Sequence, residues 1–216
     1  MRIDNSQIQE FKKCPRAYGY KYVEGLRKRE EGADEHDRAY GSAMHKGLEV
    51  FYGTGGVEAA IQAFRDTYPV QLDPQDFAKT GTNGVELLRG YFTHWKEWDR
   101  GYRVVENERV VELELEPGVT FLVKRDKVLE SVMDGQIYVM DHKTTGKGLD
   151  YKFWAGFELD SQVTANVAAT IQTHGQCSGF WVDGISMGFR KKMYRGEPAG
   201  FHYALGRQLV NRNKEQ

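Results

Sequence analysis

Two extended runs joined by a tight turn constrain the fold of this chain more than any other feature. The first run, Phe121 to Leu129, is rich in Val and Leu, and the second, Gln136 to His142, carries Ile, Tyr, Val and Met. Between them, Asp134-Gly135 is a dipeptide that tolerates positive φ. The pattern predicts an antiparallel hairpin with a two-residue loop.

The register of that hairpin brings charged side chains together. A two-residue loop sets Met133 against Gln136 and, further along the ladder, Asp126 against Lys143, with Asp141 diagonal to Asp126. Because strand side chains alternate between faces, Asp141 and Lys143 share one face. Opposite residues lie about 5 Å apart at Cβ and diagonal ones about 7 Å apart, so the three charges converge.

Two interpretations of this charged group stay open from the hairpin alone. Two carboxylates with a nearby lysine suit a hard divalent cation such as Mg²⁺ or Mn²⁺. A cross-strand ion pair between Asp126 and Lys143 is the simpler alternative, and such pairs contribute little stability. The apolar Val139-Met140 directly before Asp141 favours a functional site, because it places the charges at the end of a buried strand.

The composition is that of an ordinary globular domain. The chain has 216 residues, with 40% hydrophobic and 28% charged side chains, which is enough to bury a core. We expect one domain over residues 1–216, mainly helical over 1–100 and with a sheet core over 101–206. The net charge of −1 neither favours nor excludes nucleic acid. Short basic clusters could contact a phosphate backbone, although most such runs are simply solvated: Lys12, Lys13, Arg16, Lys21, 27–29 and 190–192.

Cysteine usage and hydropathy predict a soluble cytoplasmic protein. Cys14 and Cys177 form neither a metal-ligand spacing nor a disulfide framework, which is typical of a reducing compartment. No stretch approaches about 18 consecutive apolar residues, and the N-terminus does not resemble a signal peptide.

Apolar periodicity and capping residues predict helices and further strands. The predicted helices are a short one through Phe11 with Ile8 and Phe11 inward, Arg16–Val23 opened by Pro15, Ala39–Tyr52, Val57–Thr67, Gly84–Asp99, and Gln162–His174 with Val163, Val167 and Ile171 buried. Charged residues 27–38 predict a mobile loop, and residues 69–83 a connecting loop. A strand from Tyr102 to the turn at Pro117-Gly118 makes a three-stranded meander with the hairpin, and Gly179–Phe189 and Phe201–Leu205 are two further predicted strands.

The helix over Ala39–Tyr52 carries a second set of candidate site residues. His45 and Glu49 are neighbours at i,i+4 beside an apolar stripe, and Gly41 and Ser42 leave the backbone approachable. A lone histidine in such a position is more often structural than a ligand. The chain has no phosphate-binding loop, since Gly146-Lys147-Gly148 lacks both the hydroxyl and the upstream glycine.

Four segments in order resemble the PD-(D/E)XK nuclease superfamily, and within it the RecB-type exonuclease domain shared with AddB and the CRISPR-adaptation nucleases. They are SQIQEFKKCPRAYGYKY over residues 6–22, GSAMHKGLE over residues 41–49, KRDKV around Asp126, and VMDHKTT over residues 139–145. The resemblance implies an α/β fold with a restriction-endonuclease-like core, in which helices flank a central mixed sheet that contains the meander.

The resemblance also implies roles for individual residues. Asp126 and Asp141 would be metal carboxylates, His45 a further metal ligand, and the backbone carbonyl of His142 would complete the coordination. Lys143 would orient or deprotonate the attacking water, helped by a pKa that nearby cations depress. The implied cofactor is Mg²⁺ or Mn²⁺.

Further positions follow from the same resemblance. Gln162, Gly41 and Ser42 would contact substrate, and Glu49 would accept the second N–H of the metal-bound imidazole. Asn166 stands where the family's helix carries a tyrosine, and Val123 where a glycine is common.

The cysteines also depart from the iron–sulfur members of the family. Those members carry four cysteines, whereas Cys14 is joined here only by Cys177, so no iron–sulfur cluster is expected and Cys14 is predicted to be a small buried hydrophobe.

The expected function is therefore that of a metal-dependent DNA nuclease. It would be an exonuclease that hydrolyses linear duplex or single-stranded DNA during recombination, phage replication or CRISPR adaptation, with a protein of one of those systems as partner and no membrane association. Ring-forming relatives leave a homo-oligomer open. One alternative is a catalytically weak or inactive module that binds nucleic acid or regulates a partner, and another is a structural α/β domain with a hairpin ion pair.

Overall fold

The computed structural model describes residues 1–26, 33–54, 56–68, 78–190 and 200–210. In chain order the elements are β1 (Arg2–Asp4), α1 (Asn5–Lys13), α2 (Pro15–Tyr18), a π-helical turn (Gly19–Val23), α3 (Ala33–Thr54), α4 (Val57–Thr67), α5 (Gly81–Asp99), β2 (Tyr102–Glu116), β3 (Val119–Ser131), β4 (Ile137–Thr145), α6 (Tyr151–Ala155), α7 (Ser161–His174), β5 (Gly179–Arg190) and β6 (Gly200–Val210).

The strands form one mixed sheet, in which β3 pairs with three other strands. The whole length of β3 pairs antiparallel with β2 on one side. On its other side, β3 pairs first with the short parallel strand β1, at residues 120–122, and then with antiparallel β4, at residues 127–130. The sheet continues through parallel β5 to antiparallel β6. The predicted mixed sheet with an antiparallel meander is confirmed.

Helices cover both faces of the sheet. Apolar side chains of α3, α4 and α5 pack together and onto Ile185 and Met187 of β5. On the opposite face, α7 packs Ala169 against Phe121 and Val123 of β3, and further apolar contacts join it to β4 and β5. Among the described helices, none is both long enough and apolar enough to cross a membrane.

The hairpin turn is longer than predicted, and this shifts the strand register. Gly135 N–H donates to Ser131 O at 2.9 Å, and Ser131 N–H donates to Gln136 O at 2.9 Å, so residues 132–136 form the connection. Lys127 therefore pairs with Met140, where the predicted ladder places it against His142. The prediction that Asp126 lies opposite Lys143 is wrong by two residues. Because the shift is an even number, every side chain keeps its predicted face.

Several predicted boundaries also need correction. Residues 33–38, predicted as loop, begin α3, while residues 27–32 of that loop lie outside the described chain. Similarly, α5 begins at Gly81, because the Thr80 side chain accepts the Asn83 N–H and caps the helix. The predictions missed β1 and α6, which are too short to show a period.

Three side chains predicted to be buried are exposed. Phe11 is 53% exposed, because its ring packs edge-on against Tyr18 of α2, whereas Ile8 of α1 packs against the core as predicted. Ile171 is exposed, since α7 turns Asn166, Ala169 and Thr170 inward. Cys14 is also exposed, so it is not a core hydrophobe.

Candidate metal and active site

The candidate site lies where β3 and β4 separate. Their backbone pairing ends at Lys127 and Met140. Beyond this point, the Asp126 carboxylate links the two strands. Asp126 Oδ2 accepts the His142 N–H at 2.8 Å, so the side chain replaces a ladder hydrogen bond. This contact fixes an almost buried carboxylate at the opening between the two strands.

Helix α3 brings His45 to the same carboxylate. His45 Nδ1 lies 3.4 Å from Asp126 Oδ2. Burial disfavours the imidazolium, but the hydrogen bond and charge of Asp126 outweigh it and raise the pKa of His45. Burial likewise opposes the ionised carboxylate, yet His45 and the His142 N–H together hold the pKa of Asp126 far below its ordinary value. Asp126 is thus a carboxylate across the physiological range.

Asp141 and Lys143 form a second group beside it, bridged by Gln162 of α7. Lys143 Nζ lies 2.5 Å from Asp141 Oδ2 and donates to Gln162 Oε1 at 3.0 Å. The Gln162 amide donates in turn to Asp141 Oδ1 at 2.9 Å. The Asp160 side chain caps α7 by accepting the Gln162 N–H at 2.7 Å. This bond fixes the backbone position of Gln162.

The charges of this second group are strongly perturbed. Burial and then the neighbouring Asp126 charge raise the pKa of Asp141 to about 6. Burial disfavours the Lys143 ammonium, but the Asp141 carboxylate outweighs it and raises the pKa of Lys143. This direction is opposite to the depressed pKa expected of a general base, because the nearest charge to Lys143 is an anion.

Glu108 of β2 is a candidate ligand that the sequence analysis missed. The ligand atoms of His45, Glu108 and Asp126 all lie within 4.8 Å of one another. Glu108 sits between two residues, Asn107 and Arg109, that pair with the residues flanking Asp126. The only sequence signal was its place in a strand beside β3, and that signal does not fix a register.

The backbone at Glu108 is strained. Its φ of 49° is in the left-handed region, which non-glycine residues rarely occupy and which costs of order 1–3 kcal/mol. Its carboxylate lies 2.6 Å from Lys124 Nζ, and the two side chains face the same cavity.

The remaining predicted site residues line this cavity, but one of them, Glu49, does not make its predicted contact. The cavity measures about 570 Å³, and Gly41, Ser42 and Glu49 line it beside His45. A Cβ on Gly41 would lie 3.4 Å from the Thr144 hydroxyl, so this part of α3 runs close to β4. The Glu49 carboxylate holds the Lys46 ammonium through both oxygens at 2.9 Å, and this ion pair replaces the predicted bond to the imidazole.

A buried polar network supports β4 from behind. The His142 ring turns away from the cavity, and its Nδ1 lies 3.0 Å from Asp183 Oδ2 on β5. Arg207 of β6 contacts the same Asp183 oxygen at 3.2 Å, and Tyr91 of α5 donates its hydroxyl to it. Burial lowers the pKa of His142 to about 4, so the ring is neutral at pH 7.

These residues fit a divalent cation. Two carboxylates and an imidazole within one ligand sphere suit Mn²⁺ or Mg²⁺ when the remaining positions are filled by oxygen. Burial raises the pKa of Glu108, and repulsion from Asp126 adds to it, so a cation between them would relieve this crowding of negative charge. Asp141 is not one of these three residues, and its carboxylate contacts Lys143 and Gln162.

Comparison with known proteins identifies the family. The model of the PD-(D/E)XK nuclease superfamily matches residues 5–174. The chain therefore belongs to this superfamily. Its fold is similar to that of a candidate exonuclease from Eubacterium rectale, with a TM-score of 0.57 and 14% sequence identity over 97% of this chain and 73% of the other. No curated protein sequence matches the chain.

Glu108→Gln is expected to weaken Mn²⁺ binding by at least about tenfold, because one of the charged candidate ligands is removed without a change of shape. Isothermal titration calorimetry measures the dissociation constant directly. Glu114→Gln is the matched control, since Glu114 is an exposed carboxylate on the same strand. An unchanged dissociation constant in Glu108→Gln would remove this residue from the metal site.

Proposed function

We propose that this chain is a divalent-metal-dependent DNA nuclease that acts as an exonuclease. The observation that carries the proposal is the convergence of two charged groups on one opening of the sheet: His45, Glu108 and Asp126 on one side, and Asp141, Lys143 and Gln162 on the other. Membership of a nuclease superfamily supports phosphodiester hydrolysis as the reaction.

The proposed metal ligands are Asp126, Asp141, His45 and the backbone carbonyl of His142, with Glu108 added from the structure. A bound Mg²⁺ or Mn²⁺ would lower the pKa of a water molecule and offset charge on the phosphate. Asp126 is suited to this role because the His142 N–H holds its carboxylate in place, 3.4 Å from the His45 ring.

Lys143 has a distinct role in the proposed mechanism. Its ammonium is held between Asp141 and Gln162, so it presents a fixed positive charge beside the carboxylates. There it would orient the attacking water through hydrogen bonding and stabilise negative charge that develops on the phosphate. With its pKa raised by Asp141, orientation and charge stabilisation are better supported than proton abstraction.

Asn166 stands where the family's helix carries a tyrosine, and this difference does not displace Gln162. Asn166 is buried, and its side-chain amide donates to Gln162 O at 2.9 Å, one helical turn back. We propose that Gln162, Gly41 and Ser42 contact the DNA and that the chain works in the cytoplasm as a single domain. Recombination, phage replication and CRISPR adaptation are the processes that would supply its substrate ends.

The exonuclease mode predicts that only DNA with ends is degraded. Linear DNA labelled at the 5′ or 3′ terminus should release short products from one label first, whereas a covalently closed circle of the same sequence should stay intact. Products are resolved on denaturing gels over a time course in Mn²⁺. Equal cleavage of circle and linear DNA would contradict the exonuclease mode, and binding without any cleavage would favour the regulatory alternative.

A further inference from the structure

The N-terminal segment from Phe11 to Val23 is unusually cationic for its length. It contains four Lys or Arg residues and no Asp or Glu: Lys12, Lys13, Arg16 and Lys21. None of the residues of α1, α2 and the π-helical turn is buried. Lys21 lies 3.9 Å from the Glu10 carboxylate, so Lys12, Lys13 and Arg16 carry the net positive charge that the segment presents to solvent, although the chain as a whole has a net charge of −1.

The same segment exposes aromatic rings that the core does not use. Phe11 is 53% exposed and Tyr20 is 40% exposed. Phe11 contacts Tyr18 edge-on with ring centroids 5.5 Å apart, and Tyr18 lies 5.3 Å from Tyr22, so three rings stand in a row. Arg16 donates to the Tyr20 hydroxyl at 2.8 Å and lies over its ring. Aromatic faces interleaved with cations are the composition of a stacking surface for nucleic-acid bases.

This segment is attached directly beside the candidate site. Gln9 of α1 donates to the Ser161 hydroxyl at 3.2 Å, and that hydroxyl donates to Asn5 Oδ1 at 2.8 Å. Ser161 is the first residue of α7 and precedes Gln162, which bridges Asp141 and Lys143. The helix that begins the aromatic segment and the helix that bridges the catalytic pair therefore meet at one point.

We propose that Phe11–Val23 is a single-stranded DNA-binding surface that guides a strand to the active site. Phe11 and Tyr20 would stack on unpaired bases, and Lys12, Lys13 and Arg16 would contact the backbone phosphates. A single strand fits better than a duplex, because the base faces of a duplex are already stacked on one another. The choice of DNA rests on the proposed nuclease function, whereas the stacking surface rests on the geometry of the segment.

The test measures binding apart from cleavage. Lys143→Ala protein in EDTA is titrated against a fluorescent oligothymidylate of about 20 nucleotides, long enough for a typical single-strand site. Adding Phe11→Ala and Tyr20→Ala should weaken binding roughly ten- to a hundredfold, because neither ring can then stack on a base. Tyr20→Phe should retain the affinity, and Met133→Ala is the control, since Met133 is 91% exposed at the distant hairpin turn.

The salt dependence of DNA binding would not change if these residues had only a structural role. Lys12→Ala with Lys13→Ala should flatten the slope of log affinity against log salt by about 0.7 for each phosphate that the protein no longer neutralises. Unchanged thermal midpoints are expected in these variants, because the replaced side chains are not buried.

Two results would overturn the proposal. Single-strand affinity within twofold of the parent in both sets of variants would show that this surface does not bind single-stranded DNA. An equal loss of affinity for a matched duplex would mean that the rings do not stack on bases. Failure of the nuclease function is separate, since it would appear as an absence of products from the wild-type protein in Mg²⁺ and Mn²⁺.

Discussion

Asp126→Asn is expected to reduce DNA cleavage by at least about a thousandfold, equivalent to roughly 4 kcal/mol of transition-state stabilisation. Asparagine keeps an oxygen that accepts the His142 N–H, so the separation of β3 and β4 should persist. It removes the negative charge that would hold a cation and that pairs with His45. Initial rates on linear DNA, together with circular dichroism of the variant, measure the two effects separately.

The control for this substitution is Asp134→Asn. Asp134 lies in the hairpin turn at the other end of β3, and its carboxylate bonds locally, to the Gln136 N–H at 3.2 Å. The variant should cleave DNA at the wild-type rate. A cleavage rate for Asp126→Asn within tenfold of wild type would show that Asp126 is not a metal carboxylate.

Asp183→Ala is expected to lower the free energy of unfolding by about 3–5 kcal/mol, because it removes the buried carboxylate that the Arg207 guanidinium, His142 and Tyr91 contact and leaves Asp99 as the remaining carboxylate on Arg207 among the described residues. The Arg207 side chain is 1% exposed, and Asp183 is fully buried. Burial disfavours the Asp183 carboxylate, but Arg207 and the His142 hydrogen bond outweigh this and lower the pKa of Asp183 below its ordinary value. Urea denaturation measures the change in stability.

The pH dependence of this contribution follows from the sign of that shift. A carboxyl whose pKa is lower in the folded state stabilises the fold above the unfolded pKa of about 3.9, and the contribution is lost as pH falls further. The difference between wild type and Asp183→Ala should therefore be constant at neutral pH. Glu97→Ala is the control, because Glu97 forms an exposed pair with Arg100 and should change stability by under about 1 kcal/mol. A change in stability of under about 1 kcal/mol for Asp183→Ala would mean that Asp183 does not stabilise the buried network.

The two-residue periodicity of the hairpin strands was sufficient to predict which face of the sheet each central charged residue occupies. Asp141 and Lys143 are two residues apart in a strand, so they share a face whatever the partner strand does. The register against Asp126 depended on the turn, and the longer connection at residues 132–136 shifted it by two. Whether these residues act in catalysis stays a prediction that the cleavage assays test.

Other parts of the site depend on contacts that no local pattern encodes. Glu108 lies opposite Asp126 through the β2–β3 register and has a φ of 49°, and the residue types specify neither. Asp183 and Arg207 are brought together by the pairing of β5 with β6, and as charged residues they would ordinarily be predicted to face solvent. Glu49 had two plausible partners on α3, and Lys46, one turn back, is the one it holds.

The most direct test of the central claim is a cleavage time course on linear single- and double-stranded DNA with the wild-type and Lys143→Ala proteins. Each substrate is incubated with Mg²⁺, Mn²⁺ or EDTA. We predict short products with at least one of the metals, none in EDTA, and none from Lys143→Ala, which should remain folded and still bind DNA. Intact DNA under every condition with the wild-type protein, or equal cleavage by Lys143→Ala, would contradict the assignment of a metal-dependent nuclease with Lys143 in its active site.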